Sequence, residues 1–226
     1  VLAERRLIAY KQASRLYISD GAVRAAEEAA RDHDVYRVRA VEREVAVLFS
    51  DICGFTSMSS QMEPREVVEV LNGFFDVMCP LLKAEDGDID KFIGDAIMAV
   101  FEEQPECDPA PLRAVRAALA MQAALTAWNV ETRRNLMIRI GINMGPVIRG
   151  DIGSRHVRRD YTVIGDVVNR AQRFESSAPK GGVLVGERTY LSTREWIDYE
   201  ARPGMVLKGV AEPVDAWVAL RRKDGA

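Results

Sequence analysis

Residues 45–56, VAVLFSDICGFT, and residues 88–101, DIDKFIGDAIMAVF, decide the fold, because each is an apolar run of strand character that ends on or turns about one aspartate. Asp51 closes the first run, and Asp95 follows Gly94 between two short apolar segments, as at the tip of a hairpin. The two aspartates are 44 residues apart in sequence, so whether they meet depends on the fold. If the two strands are neighbours, both carboxylates reach the same edge, where they can hold a pair of divalent cations against a nucleoside triphosphate. That pattern points to phosphoryl chemistry.

Working outward, Glu63, Pro64 and Arg65 start a helix whose apolar positions Val67, Leu71, Phe74, Met78, Leu81 and Leu82 fall at helical spacing. A second helix follows Pro109, with Leu112, Val115, Leu119 and Leu125 on one side. From Leu136 to Met144 the alternation is strict: Leu136, Ile138, Ile140, Ile142 and Met144 face one way and Arg139, Gly141 and Asn143 the other. A strand at Tyr161–Val163, a helix at Asp166–Ser176, a strand at Gly182–Val185 and strands near Met205 and Trp217 complete the pattern. The order is βαββαβ, an α+β fold with a ferredoxin-like split βαβ core and extra C-terminal strands and helices. Residues 1–41, rich in Ala, Arg and Glu, read as an N-terminal helical extension broken near Ser19, Asp20 and Gly21. It is either a linker from an upstream region or a solvated helix packed on the core. Residues 42–221 then form the main domain and 222–226 a tail.

At 226 residues there is room for one well-packed domain and an extension. The net charge of −3 argues against a nucleic-acid partner, which demands a basic surface. Three scattered cysteines, Cys53, Cys79 and Cys107, exclude a disulfide framework or zinc ribbon and suit the cytoplasm. No apolar stretch is long enough for a membrane span. The chain starts at Val1 rather than Met, which reads as a piece of something longer whose missing N-terminal part could tether it to a membrane.

Each candidate residue has a plain alternative. Asp51 can be a helix N-cap ahead of Gly54, and Asp95 a left-handed turn residue. Lys91, four residues before Asp95, is either a rim residue with its head in water or a donor aimed at a ligand. Asn169 and Arg173 lie one turn apart on one helix face, where Arg173 could simply make a surface ion pair. The turn after Asp51 (Ile52, Cys53, Gly54, Phe55, Thr56) would turn backbone N–H groups toward a phosphate, with Gly54 permitting close approach.

Together FSDICGFT, KFIGDAIMAVF, IRIGINMGPVIRGDIG, YTVIGDVVNRAQRFE and VLKGVAEPV resemble, in order and spacing, the catalytic blocks of the class III nucleotidyl cyclases over residues 42–221. The resemblance implies Asp51 and Asp95, with the Ile52 carbonyl, as ligands of two Mg²⁺ or Mn²⁺ ions, and Arg139 on the terminal phosphates. It implies Lys91 and Thr162 as readers of the purine, Asn169 and Arg173 on the ribose and transition state, and Lys208 on the triphosphate. It also implies a head-to-tail homodimer with two composite sites: Asp51, Asp95 and Arg139 come from one chain, and Lys91, Thr162, Asn169, Arg173 and Lys208 from the other.

The hydrogen-bond inventory then selects the base. Lysine only donates and a threonine hydroxyl can accept, so Lys91 suits adenine N1 and Thr162 the 6-amino group, whereas guanine needs the reverse. The expected reaction is adenylate cyclase: the ribose 3′-oxygen attacks the α-phosphorus of ATP, releasing 3′,5′-cyclic AMP and pyrophosphate. Threonine at position 162, where many adenylate cyclases have aspartate, resembles a bicarbonate-responsive subgroup. A neutral hydroxyl there would lower the electrostatic cost of admitting a small anion. His33 and His156 fall outside the blocks, leaving no obvious general base. The rivals are guanylate cyclase, a related palm such as a diguanylate cyclase, and a catalytically silent dimerisation or regulatory domain. Against the last, none of Asp51, Asp95, Asn169 or Arg173 is missing.

Overall fold

A computed structural model describes residues 18–31, 40–154 and 157–223. Within the N-terminal extension it describes one helix, α1 (Asp20–Arg31); the rest of the expected helical linker, at residues 1–17 and 32–39, lies outside the described residues, as do 224–226 of the expected tail. The helix starts where the sequence breaks: the Ser19 hydroxyl accepts from the Ala22 amide, so it caps the first turn. There follow β1 (Val41–Ile52), a short helix α2 (Phe55–Ser59), α3 (Pro64–Ala84), β2 (Asp88–Ile93), β3 (Ala96–Glu102), α4 (Ala110–Thr132) and β4 (Ile138–Gly153). The chain continues through β5 (Arg159–Ile164), α5 (Asp166–Ser177), β6 (Val183–Gly186), α6 (Glu187–Thr193), β7 (Ile197–Met205) and β8 (Val214–Arg222).

The sheet order is β2-β3-β1-β4-β6-β8-β7, with β5 paired to β4 beside it. Neighbours among its first four strands are antiparallel, in the order of a split βαβ core, as the alternation of elements implies. Helix α3 opens on Pro64, with a capping box in which Glu63 and Glu66 satisfy one another's backbone amides. It buries Val70, Phe74, Met78 and Leu82 against one sheet face, where Leu48, Ile97, Phe101, Ile140 and Ile142 are wholly buried. The sequence stripe omitted Val70; Val67, Leu71 and Leu81 are only half-buried flanks of the true contact line. Helix α4 is buried nearly all round over Ala110–Ala118, because it packs on the sheet and on both α3 and α6.

One strand, β4, differs from its sequence reading. The alternating stretch that starts at Leu136 becomes a strand only at Ile138 and then runs to Gly153. Leu136 is left outside, its amide and carbonyl both taken by the Asn129 side chain. Both faces of β4 are covered: Gly141 and Asn143, on the face opposite Ile140 and Ile142, lie under α5. A Cβ at Gly141 would fall 2.0 Å from the Glu175 amide nitrogen, so glycine is what lets α5 settle on the sheet. That seating brings the C-terminal turn of α5 over the end of β1.

Among the described residues no helix is long and apolar enough to cross a membrane. The three cysteines are free.

Candidate active site

Both aspartates lie where the strands release them. Asp51 sits in the last pairs of β1, opposite Arg139 of β4, and is not a cap, since the N-cap of α2 is Gly54 at φ 74° without a side-chain bond. At the β2–β3 tip the left-handed residue is Gly94, not Asp95. Asp95 is free to turn back, and its Oδ2 accepts the Ile52 amide at 3.2 Å. The fold therefore brings the two carboxylates together, and neither alternative reading of them holds.

Arg139 ties this corner to α5. Its guanidinium lies 3.5 Å from Asp51 Oδ2, donates to the Ser176 carbonyl at 3.1 Å, and directs Nε at Glu175 Oε1 3.5 Å away. Glu175 is buried, and its Oε1 accepts no hydrogen bond from the described residues. The sequence reading missed it, although a carboxylate one turn after Ala171 on the apolar side of α5 is the kind of buried polar group that signals a site. The phosphate-facing turn needs one correction. The Cys53 amide is spent on the Met137 carbonyl at 2.8 Å, so Cys53 offers no donor to a ligand. Phe55 and Thr56 open α2, whose first amides lack intrahelical acceptors, but the Phe55 side chain is buried in the core.

Burial, and after it the charge of Asp51, pushes Asp95 up to about 6 from 3.8. Burial, then Asp51's charge, pushes Glu175 up to about 7 from 4.5, against the pull of Arg139. Both groups hold protons in the folded state that the unfolded chain has released, so their contribution to stability falls as pH rises between about 4 and 7. In chelator-containing buffer the Tm gap between Glu175→Gln and the unmodified chain should therefore widen in favour of the variant from about pH 5 to about pH 8. Mn²⁺ should raise Tm more at the higher pH, where Asp95 is ionised. A constant gap across that range would contradict the assignment.

The second cluster lies on the same chain. The pairing of β2 with β3 slips between Ile89 and Lys91, leaving Asp90 as the extra residue of a bulge. Asp90 is thereby turned inward, its side chain 3% exposed, and gathers two groups on one oxygen. Lys91 Nζ lies 3.3 Å from Asp90 Oδ1, and the Thr162 hydroxyl donates to that oxygen at 2.9 Å. Lys91 and Thr162 thus meet through a carboxylate that the sequence reading did not single out; only its place beside Lys91 could have flagged it.

Asn169 and Arg173 stand one turn apart on α5, away from its apolar side, and their side chains have no hydrogen-bond or ion-pair partner among the described residues. Lys208 is exposed in the turn between β7 and β8, ahead of Gly209 at φ 77°. The structure joins neither Asn169 and Arg173 nor Lys208 to the two clusters by a direct contact.

Asp51 and Asp95 could supply hard oxygen ligands, and a divalent cation there would relieve their mutual charge, which adds to burial in raising Asp95. Among the described residues no three acidic, His or Cys side chains converge into a metal site of their own.

The adenylate and guanylate cyclase catalytic domain family matches residues 38–219. An adenylate cyclase of Anabaena cylindrica is 40% identical over 156 residues, 64% of this chain and 30% of that protein. The crystal structure of the adenylyl cyclase CyaB from P. aeruginosa superposes with a TM-score of 0.77 at 30% identity, over 83% of this chain and 99% of that one. The guanylate cyclase domain of RhGC from Catenaria anguillulae, solved with GTP, gives a TM-score of 0.74 at 30% identity, over 81% and 100%. The chain spans less than a third of the length of the first curated relatives it matches. With its split βαβ sheet and the five sequence blocks placed on it, the chain belongs to the adenylate and guanylate cyclase catalytic domain family.

Proposed function

We propose that this domain is an adenylate cyclase, converting ATP to 3′,5′-cyclic AMP and pyrophosphate in a head-to-tail homodimer. One observation carries the reading. Lys91 and Thr162, distant in sequence, meet on the buried Asp90 and together offer a donor and an acceptor, the complement of adenine N1 and its 6-amino group. Guanine, with N1–H and O6, finds both polarities reversed. The relatives include cyclases named for either base, so the base assignment rests on this pair rather than on likeness.

Asp51 and Asp95, with the Ile52 carbonyl, would hold two Mg²⁺ or Mn²⁺ ions, which when bound supply positive charge beside the α-phosphate and acidify the 3′-hydroxyl. The chain's own residues do the rest. Arg139, which bridges Asp51 and the Ser176 carbonyl, would take a terminal phosphate oxygen. Asn169 would hold the ribose so that its 3′-oxygen lies in line with the bond to the departing pyrophosphate. Arg173 would meet the charge that gathers on the pentavalent phosphorus, an effect read in kcat more than in KM, and Lys208 would meet the triphosphate.

A second subunit would account for the exposure of Asn169 and Lys208, and for the lack of partners among the described residues at these two and at half-buried Arg173. Phe92 and Ile93 beside the hairpin tip and Ile164 at the end of β5 are about half exposed, apolar surface that such a dimer would cover. We assign residues 1–41 as a linker to an upstream regulatory region and the domain to the cytoplasm, where free cysteines persist.

The expectation of a bicarbonate response loses its physical ground. It rested on a base pocket relieved of a negative charge at Thr162, and the Asp90 carboxylate 2.9 Å away restores one.

The deciding experiment incubates the purified chain with Mn²⁺ and ATP or GTP, and measures both products. Cyclic AMP and pyrophosphate should form in equal amounts, with kcat/KM for GTP lower by about a hundredfold for two mismatched polar contacts. Cyclic GMP formed as efficiently would establish the guanylate alternative, and no cyclic nucleotide from either would establish the silent one.

A further inference from the structure

We propose that Asp90 is a specificity-determining positioning residue that makes Thr162 an obligate hydrogen-bond acceptor toward the substrate base; this deepens the adenine reading above and rests on it. A threonine hydroxyl alone cannot discriminate, because it rotates to donate to guanine O6 as readily as it accepts from an adenine amino group. Asp90 removes that freedom. Its carboxylate only accepts, so the single hydroxyl proton of Thr162 is committed to Asp90 Oδ1 at 2.9 Å, and only oxygen lone pairs remain for a ligand.

Three features make Asp90 more than a chance neighbour. The bulge in β2 puts it and Lys91 out of simple alternation, so the polar heads of two adjacent residues meet, with Lys91 Nζ 3.3 Å from Asp90 Oδ1. Its side chain is 3% exposed where that of Lys91 is 36% exposed, so the lysine head reaches solvent while its counter-charge stays buried behind it. Thr162 is itself 8% exposed, on β5 opposite Gly150, and among the described residues its Oγ1 has no other partner to draw it away from Asp90. The same Asp90 oxygen lies 3.3 Å from Lys91 Nζ, which keeps that ammonium beside the hydroxyl and leaves its other N–H groups for N1 of the base. One carboxylate therefore sets the direction of both hydrogen bonds that read the purine edge.

The test compares kcat/KM for ATP and GTP, with Mn²⁺ and the full chain, in the unmodified protein and in Asp90→Ala, Asp90→Asn and Thr162→Val. Freed of its acceptor, Thr162 in Asp90→Ala can donate to guanine O6, so the ATP:GTP ratio should fall about tenfold, mainly through relatively better use of GTP. Asp90→Asn still offers an amide oxygen to the Thr162 proton and should stay within about threefold of the original ratio. Asp90→Ser keeps a polar group at the buried position but fixes no direction, and it reads the same loss of preference if Asp90→Ala does not fold. A purely structural Asp90 would lower both efficiencies together and leave the ratio unchanged in Ala and Ser while Thr162→Val altered it. That result overturns this proposal and leaves the base assignment standing. If Thr162→Val also left the ratio unchanged, the base assignment itself would fall, and this inference with it.

Discussion

Asp51→Ala and Asp95→Ala should each lower kcat by about 10³-fold or more, because each removes half of the negative charge that would gather cations at the α-phosphate. Stability should hardly change, since Asp95 is already raised to about 6 by burial and by the charge of Asp51, so its removal relieves repulsion. The one structural bond at risk is that from the Ile52 amide to Asp95 Oδ2. Asp95→Asn keeps an acceptor for that amide and loses only the charge, so it separates the two effects: activity should vanish while Tm stays within about 3 °C of the unmodified chain. Turnover near normal in Asp95→Asn would show that the acidic corner does not hold the catalytic cations.

Mixing two inactive variants should restore activity. Asp51→Ala damages the acidic set and Arg173→Ala the outward-facing set, and each chain contains both. In a symmetric head-to-tail dimer, a mixed pair has one site with both lesions and one with neither. Random exchange at equal concentrations should then recover about a quarter of the unmodified activity. Each variant alone should stay inactive at any concentration. Mass-labelled chains would establish that exchange has occurred, and no recovery after demonstrated exchange would mean that each site is built within one chain.

The βαββαβ order was legible because its signals are local. Period-two alternation, helical spacing after Pro64 and Pro109, and glycine at Gly54 and Gly94 all act within a few residues. The two aspartates were legible for the same reason, each lying where an apolar run stops beside a small residue. The range of β4 was less so. Both faces of its first half are covered, one by α4 and α6 and the other by α5, and Gly145 and Pro146 then interrupt the apolar alternation, so its later half was not legible as the same strand.

The sequence by itself thus determined which elements form, in what order, and which side chains carry charge at their ends. Only the tertiary structure decided what those side chains touch. Asp90 finds Thr162 across 72 residues because a bulge in β2 turns it inward toward β5. Glu175 finds Arg139 because Gly141 lets α5 lie against the sheet. Cys53 is lost as a phosphate donor because the Met137 carbonyl claims its amide first. Strand and helix periods arise from backbone geometry within one element, whereas hydrogen-bond direction and burial depend on groups that the chain delivers from elsewhere.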